Sequence, residues 1–250
     1  MTVRALHFCR LGGSIGKPGA WQNLCILRWR IVFFMMLALL VWGSVSMAWD
    51  VQRLMAAGQR RGAIGVNAAA SLTELINYLG SVEDPIKLAS ANIFFNRRIL
   101  FGEDIQVWGQ LDYWASPLET MVKGQGDCED YAIAKYFSLL AAGTEPKRLR
   151  LVYVRANLGP VGPQSVAHMV LAYYPSGPAG VETLATDPWI LDNLTSEIRP
   201  ASQRPDLTPV FSFSVEGLWQ GTTTYSAGDP LARLSRWRDV LAKASEEGLP

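Results

Sequence analysis

The hydrophobic period of this chain changes at Gly143, and the change limits the fold more than any other feature. Upstream, apolar residues recur three and four apart. Leu72, Leu75, Ile76 and Leu79 follow Ser71, which reads as the cap of a short helix. Ile86, Leu88, Ala89, Ile93 and Phe94 mark the inward face of a helix from Asp84 to about Ile99, with Pro85 in its first turn. Ala132, Ile133, Tyr136, Phe137 and Leu140 mark a third helix, from Asp127 to Ala142. Between these, Phe101 to Trp114 is loop-like and rich in aromatics. Ser116-Pro117-Leu118-Glu119 carries a cap, a first-turn proline and an acid at the third position, so a short helix begins there and breaks at Lys123-Gly124-Gln125-Gly126. Downstream of Gly143 the period is two. Arg148 to Arg155, Val166 to Tyr174 and Pro188 to Leu191 read as strands, Pro209 to Val215 as another, and Pro230 to Ser245 as a closing amphipathic helix. Helices first and antiparallel strands afterwards specify an α+β domain, with the N-terminal helices packed on the sheet.

The first 48 residues stand apart. They hold Arg4, Arg10, Lys17, Arg28 and Arg30 and no Asp or Glu, followed by the apolar run from Ile31 to Trp42 and by Ser46-Met47-Ala48. A basic stretch, an apolar stretch and small residues at a cleavage position make an export signal cut after Ala48, leaving a domain over 49–250. An uncleaved anchor is the alternative, since 31–48 is just long enough to span a bilayer. The basic stretch is long for a signal, so translation starting further downstream is also open. Removing five of the 23 basic residues leaves 18 against 22 acidic ones. A mature chain of about −4 has no basic stripe for phosphates, which argues against a nucleic-acid partner. Cleavage also removes Cys9, Cys25 and His7, so one cysteine, Cys128, and one histidine, His168, remain.

An isolated cysteine is ordinarily small apolar filler. Cys128, however, sits in Gly124-Gln125-Gly126-Asp127-Cys128-Glu129-Asp130, where burial in an apolar core would strand carboxylates. With Asp127 as N-cap it opens a helix, among N–H groups that favour a thiolate and an oxyanion. His168 lies in a strand with Val166, Val170 and Ala172 on its face, a setting usual for a core histidine, yet it is the one imidazole left to serve a thiol. A third group must orient it: Asp192, ending the strand Trp189-Ile190-Leu191, or Asp187 before Pro188. Asp-Asn after a strand is also ordinary turn chemistry.

The segments from Gly126 to Tyr136, from His168 to Tyr174 and Leu191-Asp192-Asn193-Leu194, together with Asp112 to Glu119, resemble the bacterial transglutaminase-like cysteine proteinases of the LapG type. The resemblance runs from about Asn92 to Leu194 and implies a papain/transglutaminase-like fold. It implies a triad of Cys128, His168 and Asp192, a periplasmic location and bound calcium beside the cysteine. It further implies cleavage of a large surface adhesin near its N-terminus, which controls biofilm attachment, and sequestration by an inner-membrane receptor that senses cyclic di-GMP. The stretch from His168 to Leu191 is longer than usual, with Ser176 to Gly180 as the apparent insertion, which keeps Asp187 open as the third member.

For calcium, the residues at hand are Asp127, Glu129 and Asp130, of which the resemblance points first to Asp127 and Glu129. Capping alone accounts for one of them. Three carboxylates beside a thiolate raise its pKa unless a cation offsets them, and Ca²⁺ prefers oxygen ligands. The Cys128 backbone N–H is the first oxyanion donor, with Gln110, Tyr113 and Trp114 as further candidates. A transglutaminase-like acyltransferase and a cell-wall endopeptidase use the same nucleophile and base. A binding module without catalysis is disfavoured by the intact Cys128 and His168.

Overall fold

A computed structural model describes residues 49–157, 159, 165–175, 187–221, 223 and 226–250. The export segment read from 1–48 and the insertion read at 176–180 lie outside these residues. Three helices come first: α1 (Val51–Arg60), α2 (Gly62–Gly80) and α3 (Asp84–Arg98). Asp50 caps α1, its carboxylate accepting from the N–H groups of Gln52 and Arg53. Ser71 caps nothing, because α2 begins nine residues earlier; Gly62 to Ala70 propagates as helix and Ser71 falls in its middle. In α3 the inward face is Leu88, Ala91, Asn92 and Phe95, while Ile86 and Ile93 face solvent, contrary to the sequence reading. The shift follows Asn92, whose amide donates to the carbonyls of Thr195 and Ser196 and so turns that face towards the sheet's connecting strap.

The aromatic loop holds a two-residue strand β1 (Leu100–Phe101) and one turn of helix, α4 (Asp104–Val107). Then come α5 (Pro117–Lys123), β2 (Gln125–Gly126) and α6 (Cys128–Ala141). Ser116 and Glu119 form a full capping box on α5, a motif worth about 1 kcal/mol. Gly124 ends it with φ 64°, a left-handed position that glycine takes without steric cost. β1 pairs parallel with β2, so the chain entering α6 is held by a ladder rather than left as a free loop.

The remaining strands are β3 (Leu149–Asn157), β4 (Ser165–Tyr173), β5 (Trp189–Leu191), β6 (Arg199–Pro200), β7 (Leu207–Ser214) and β8 (Gly217–Gln220). They form one antiparallel sheet of order β6-β5-β4-β3-β7-β8. The expected closing helix is two, α7 (Pro230–Arg233) and α8 (Ser235–Glu246), interrupted at Leu234. α6 packs on β3 and β4 and against α2, α3 and α5. The period-two pattern sorts the strands: Leu151, Met169, Leu171, Tyr173, Leu191 and Phe213 join the helices in the main core, whereas Val152, Val154, Val170, Ala172 and Ile190 form a second cluster on the opposite face. This is the α+β architecture read from the sequence. No helix among the described residues is long and apolar enough to cross a membrane.

Candidate active site

Cys128 is the first residue of α6, half-buried, with Asp127 in the N-cap position. The Asp127 side chain makes no capping hydrogen bond, so capping does not account for this carboxylate. The thiol donates to Glu129 Oε2 at 3.0 Å. Burial pushes the Cys128 thiol up, the charge and hydrogen bond of Glu129 push it further, and Asp127 adds to both; the main-chain N–H of Met169 on β4 opposes them. Helix-end N–H groups favour a thiolate, but here burial and, after it, the adjacent carboxylates win.

His168 is 5% exposed on β4, the residue before Met169. Its Nε2 lies 2.8 Å from Asp192 Oδ1, which leaves Nδ1 as the ring nitrogen for another partner. Among the described residues no hydrogen bond joins His168 to the thiol. Asp192 follows β5, which pairs with β4 through Leu171 and Leu191, and this register carries the carboxylate to the histidine. Its Oδ1 also accepts from the Leu194 N–H at 3.0 Å, and its Oδ2 from Arg204 at 2.7 Å. Burial alone would raise Asp192, but the hydrogen bond and charge of His168, the Leu194 N–H and Arg204 outweigh it and hold the carboxyl at about 2. Asp187 turns elsewhere: it is exposed and accepts from the N–H and hydroxyl of Ser202.

Around the head of α6 the acidic groups number more than the three flanking Cys128. Asp104, at the start of α4, brings a carboxylate oxygen within 4.8 Å of oxygens from Asp127 and Asp130; Asp104, Asp112 and Glu129 form a second such group. Asp104 and Asp130 are 3% and 0% exposed. Asp104 Oδ1, Asp127 Oδ1 and Asp130 Oδ2 are buried with no hydrogen-bond partner, an arrangement that costs free energy unless a cation or proton satisfies them. A Cβ on Gly126 would meet Asp130 Oδ2 at 2.4 Å, so the glycine leaves the room this carboxylate occupies. Burial raises Asp104 to about 6 and Asp130 to about 8, with the charge of Glu129 adding to both, and burial with Glu129 raises Asp127 as well. An all-oxygen, mainly carboxylate set of this kind suits a hard divalent cation.

The raised carboxyls set a sign for stability. With a chelator present, folded Asp104 and Asp130 hold protons that the unfolded chain releases near 4, and Glu247, raised by burial to about 7, does the same. Their contribution is therefore full at low pH and is lost as pH rises through 6 to 8. Asp192, depressed to about 2, acts only below 4, and Lys135, lowered by burial to about 7, acts only above 7. Melting in EGTA is expected to fall by about 5 °C or more between pH 5 and pH 7. A calcium-loaded sample is expected to lose the Asp104 and Asp130 share of this trend, because ionised carboxylates are then the bound form, and to keep the share of Glu247, which lies outside the cluster. Thermal scans in both buffers check it.

Three participants escaped the sequence reading. Asp104 lay in a stretch read as loop, and its partners come from beyond residue 110. Arg204 anchors Asp192 and pairs with Asp206 two residues on, the local spacing being the one signal for it. Lys135 is 1% exposed on α6, two turns from Cys128, and feels the charge of Asp192. Of the further oxyanion candidates, Tyr113 is committed, its hydroxyl donating to Glu119 Oε1 and its N–H to Asp104. Trp114 stacks on Phe213 at 5.6 Å, and Gln110 is exposed in a bend.

The family model of the bacterial transglutaminase-like cysteine proteinases matches residues 81–206. Among solved structures, calcium-bound LapG of Legionella pneumophila is similar at 35% identity, over 78% of this chain and 98% of that one, with a TM-score of 0.63. The EGTA-treated form of that protein is similar at 36% identity over the same shares, with a TM-score of 0.65. No curated protein matches.

Proposed function

The chain belongs to the bacterial transglutaminase-like cysteine proteinases, and from this premise we propose that it is a calcium-dependent periplasmic endopeptidase that cuts a large surface adhesin near its N-terminus, releasing cells from a biofilm. The observation that carries the mechanism is the meeting of β4 with the head of α6. His168 is held there by Asp192 at 2.8 Å through Nε2, and the next N–H of the strand favours the Cys128 thiolate. Cys128 gives its proton to His168 Nδ1, and the sulfur attacks the scissile carbonyl carbon. The oxyanion accepts from the Cys128 N–H at the open end of α6. The imidazolium protonates the departing amine, leaving a thioester; His168 then takes a proton from water as the water oxygen attacks the thioester carbon, the C–S bond breaks to release the acid, and the imidazolium returns its proton to the sulfur. Asp192 keeps the proton on Nε2 and offsets the imidazolium charge, and Arg204 keeps Asp192 ionised.

Asp104, Asp127, Glu129 and Asp130 would hold calcium, with Asp112 at the rim. The ion would supply positive charge against the carboxylates that disfavour the thiolate. The buried Asp104, Asp127 and Asp130 oxygens that find no hydrogen-bond partner in the protein support this assignment, as does the calcium-bound form of the Legionella relative. The inhibitory partner we propose is an inner-membrane receptor for cyclic di-GMP.

The test is incubation of the purified protein with an N-terminal adhesin fragment, with peptidoglycan and with a labelled amine. The fragment is expected to be shortened in Ca²⁺, poorly in Mg²⁺ and not in EGTA. Digested peptidoglycan would move the chain to the cell-wall endopeptidases. Amine incorporation without cleavage would make it an acyltransferase, and full cleavage in EGTA would remove the calcium requirement.

A further inference from the structure

The segment from Tyr113 to Ser116 runs between the acidic cluster and α8 and is bonded on both sides. Towards the cluster, the Tyr113 N–H donates to Asp104 Oδ2 and the Ala115 N–H to Asp130 Oδ1 at 2.8 Å. Each carboxylate is thus tied by one oxygen, while its other oxygen is buried and partnerless. Two N–H groups two residues apart on one segment therefore set how both carboxylates are turned. Towards α8, the Trp114 carbonyl accepts from Lys243 Nζ at 2.6 Å. The same ammonium lies 4.1 Å from the Tyr113 ring centroid and 3.0 Å from Glu119 Oε2. Beside it, the Ser116 hydroxyl donates to Glu247 Oε1 at 2.6 Å, and Arg61 pairs with Glu247 at 3.2 Å.

We propose that Lys243 is a positioning residue for calcium: from the far side of the segment it fixes the backbone whose N–H groups aim the Asp104 and Asp130 carboxylates. This rests on the calcium reading above. Like-charged carboxylates repel one another, so with the segment loosened the cluster opens and the ion must first reorder it. Field and positioning predict opposite signs. Removing a cation near the cluster strengthens calcium binding if Lys243 acts only through its charge, and weakens it if Lys243 holds the segment.

The experiment is calorimetric titration of Ca²⁺ into the full-length protein and into Lys243→Met, which keeps the stem over Tyr113 but loses the ammonium. The dissociation constant is expected to rise about tenfold, equivalent to about 1.4 kcal/mol. Lys243→Arg, which retains charge and donors, is expected to restore most of the affinity. Melting with and without calcium accompanies each titration, because a merely structural role lowers both melting temperatures equally and leaves the dissociation constant alone. If Lys243→Met does not fold, Lys243→Gln gives the same reading, again with weaker binding expected. Unchanged or tighter binding in a folded variant overturns the proposal. Absence of binding by the wild type overturns the calcium reading itself, and this inference with it.

Discussion

Cys128→Ala and His168→Ala are each expected to stop cleavage of the adhesin fragment while leaving a folded protein. Losing the nucleophile or its base in a triad that acts as a unit costs about 10⁶ in rate, so no product is expected over an assay in which wild type finishes. The fold tolerates both changes for local reasons. Cys128 is half-buried, so alanine there leaves no sealed cavity, and the thiol's hydrogen bond to the part-buried Glu129 is lost without sealing that carboxylate away from water. Removing His168 leaves Asp192 with the Leu194 N–H and Arg204, so the buried charge keeps partners. Mass spectrometry of the fragment and circular dichroism of each variant check both halves. Wild-type turnover by either variant would contradict the mechanism.

Asp192→Asn is expected to lower the rate by up to about 10⁴, by analogy with the loss of the orienting acid in Ser-His-Asp triads. An asparagine keeps the shape, but if its amide nitrogen faces His168 Nε2 it selects the wrong tautomer, and Arg204 loses the anion it pairs with at 2.7 Å. Asp187→Asn, which alters an exposed carboxylate bonded to Ser202, should change the rate by about twofold or less. Single-turnover rates of the two variants across pH separate them; the reverse pattern would assign the orienting role to Asp187.

Much of this site was legible because it is written locally. Gly124, Gly126 and the acids flanking Cys128 announce a loop entering a helix, and the alternation around His168 announces a strand. The stop at Asp192 reads from Leu191-Asp192-Asn193 alone. What the sequence did not yield depends on distant partners. Asp104 is buried because Tyr113 and the head of α6 close over it, and nothing within the loop from Phe101 foretells that. The inward face of α3 was misplaced because Ile86 and Ile93 are apolar, whereas the buried residue is Asn92, whose amide serves the Thr195 and Ser196 carbonyls across 103 and 104 residues. Hydrophobic period ranks positions by side chain and gives a polar residue no credit for a buried acceptor it will meet. The start of α2 was missed because Gly62 to Ala70 lacks a strong stripe, although it propagates as helix once α1 packs on it.

The bracing of the segment Tyr113–Ser116 by α8 also fixes when, during synthesis, this enzyme can become one. Trp114 and Lys243 are 129 residues apart, and Ser116 and Glu247 are 131 apart. A ribosome adding about 5–20 residues per second makes Cys128, His168 and Asp192 well before the lysine that holds the metal-facing backbone in place. For roughly three to ten seconds at that rate the nascent chain carries its whole catalytic complement without the frame that arms it. On the proposed bracing, a protease laid out in this order is silent as a growing chain until the helix that completes it has followed its triad out.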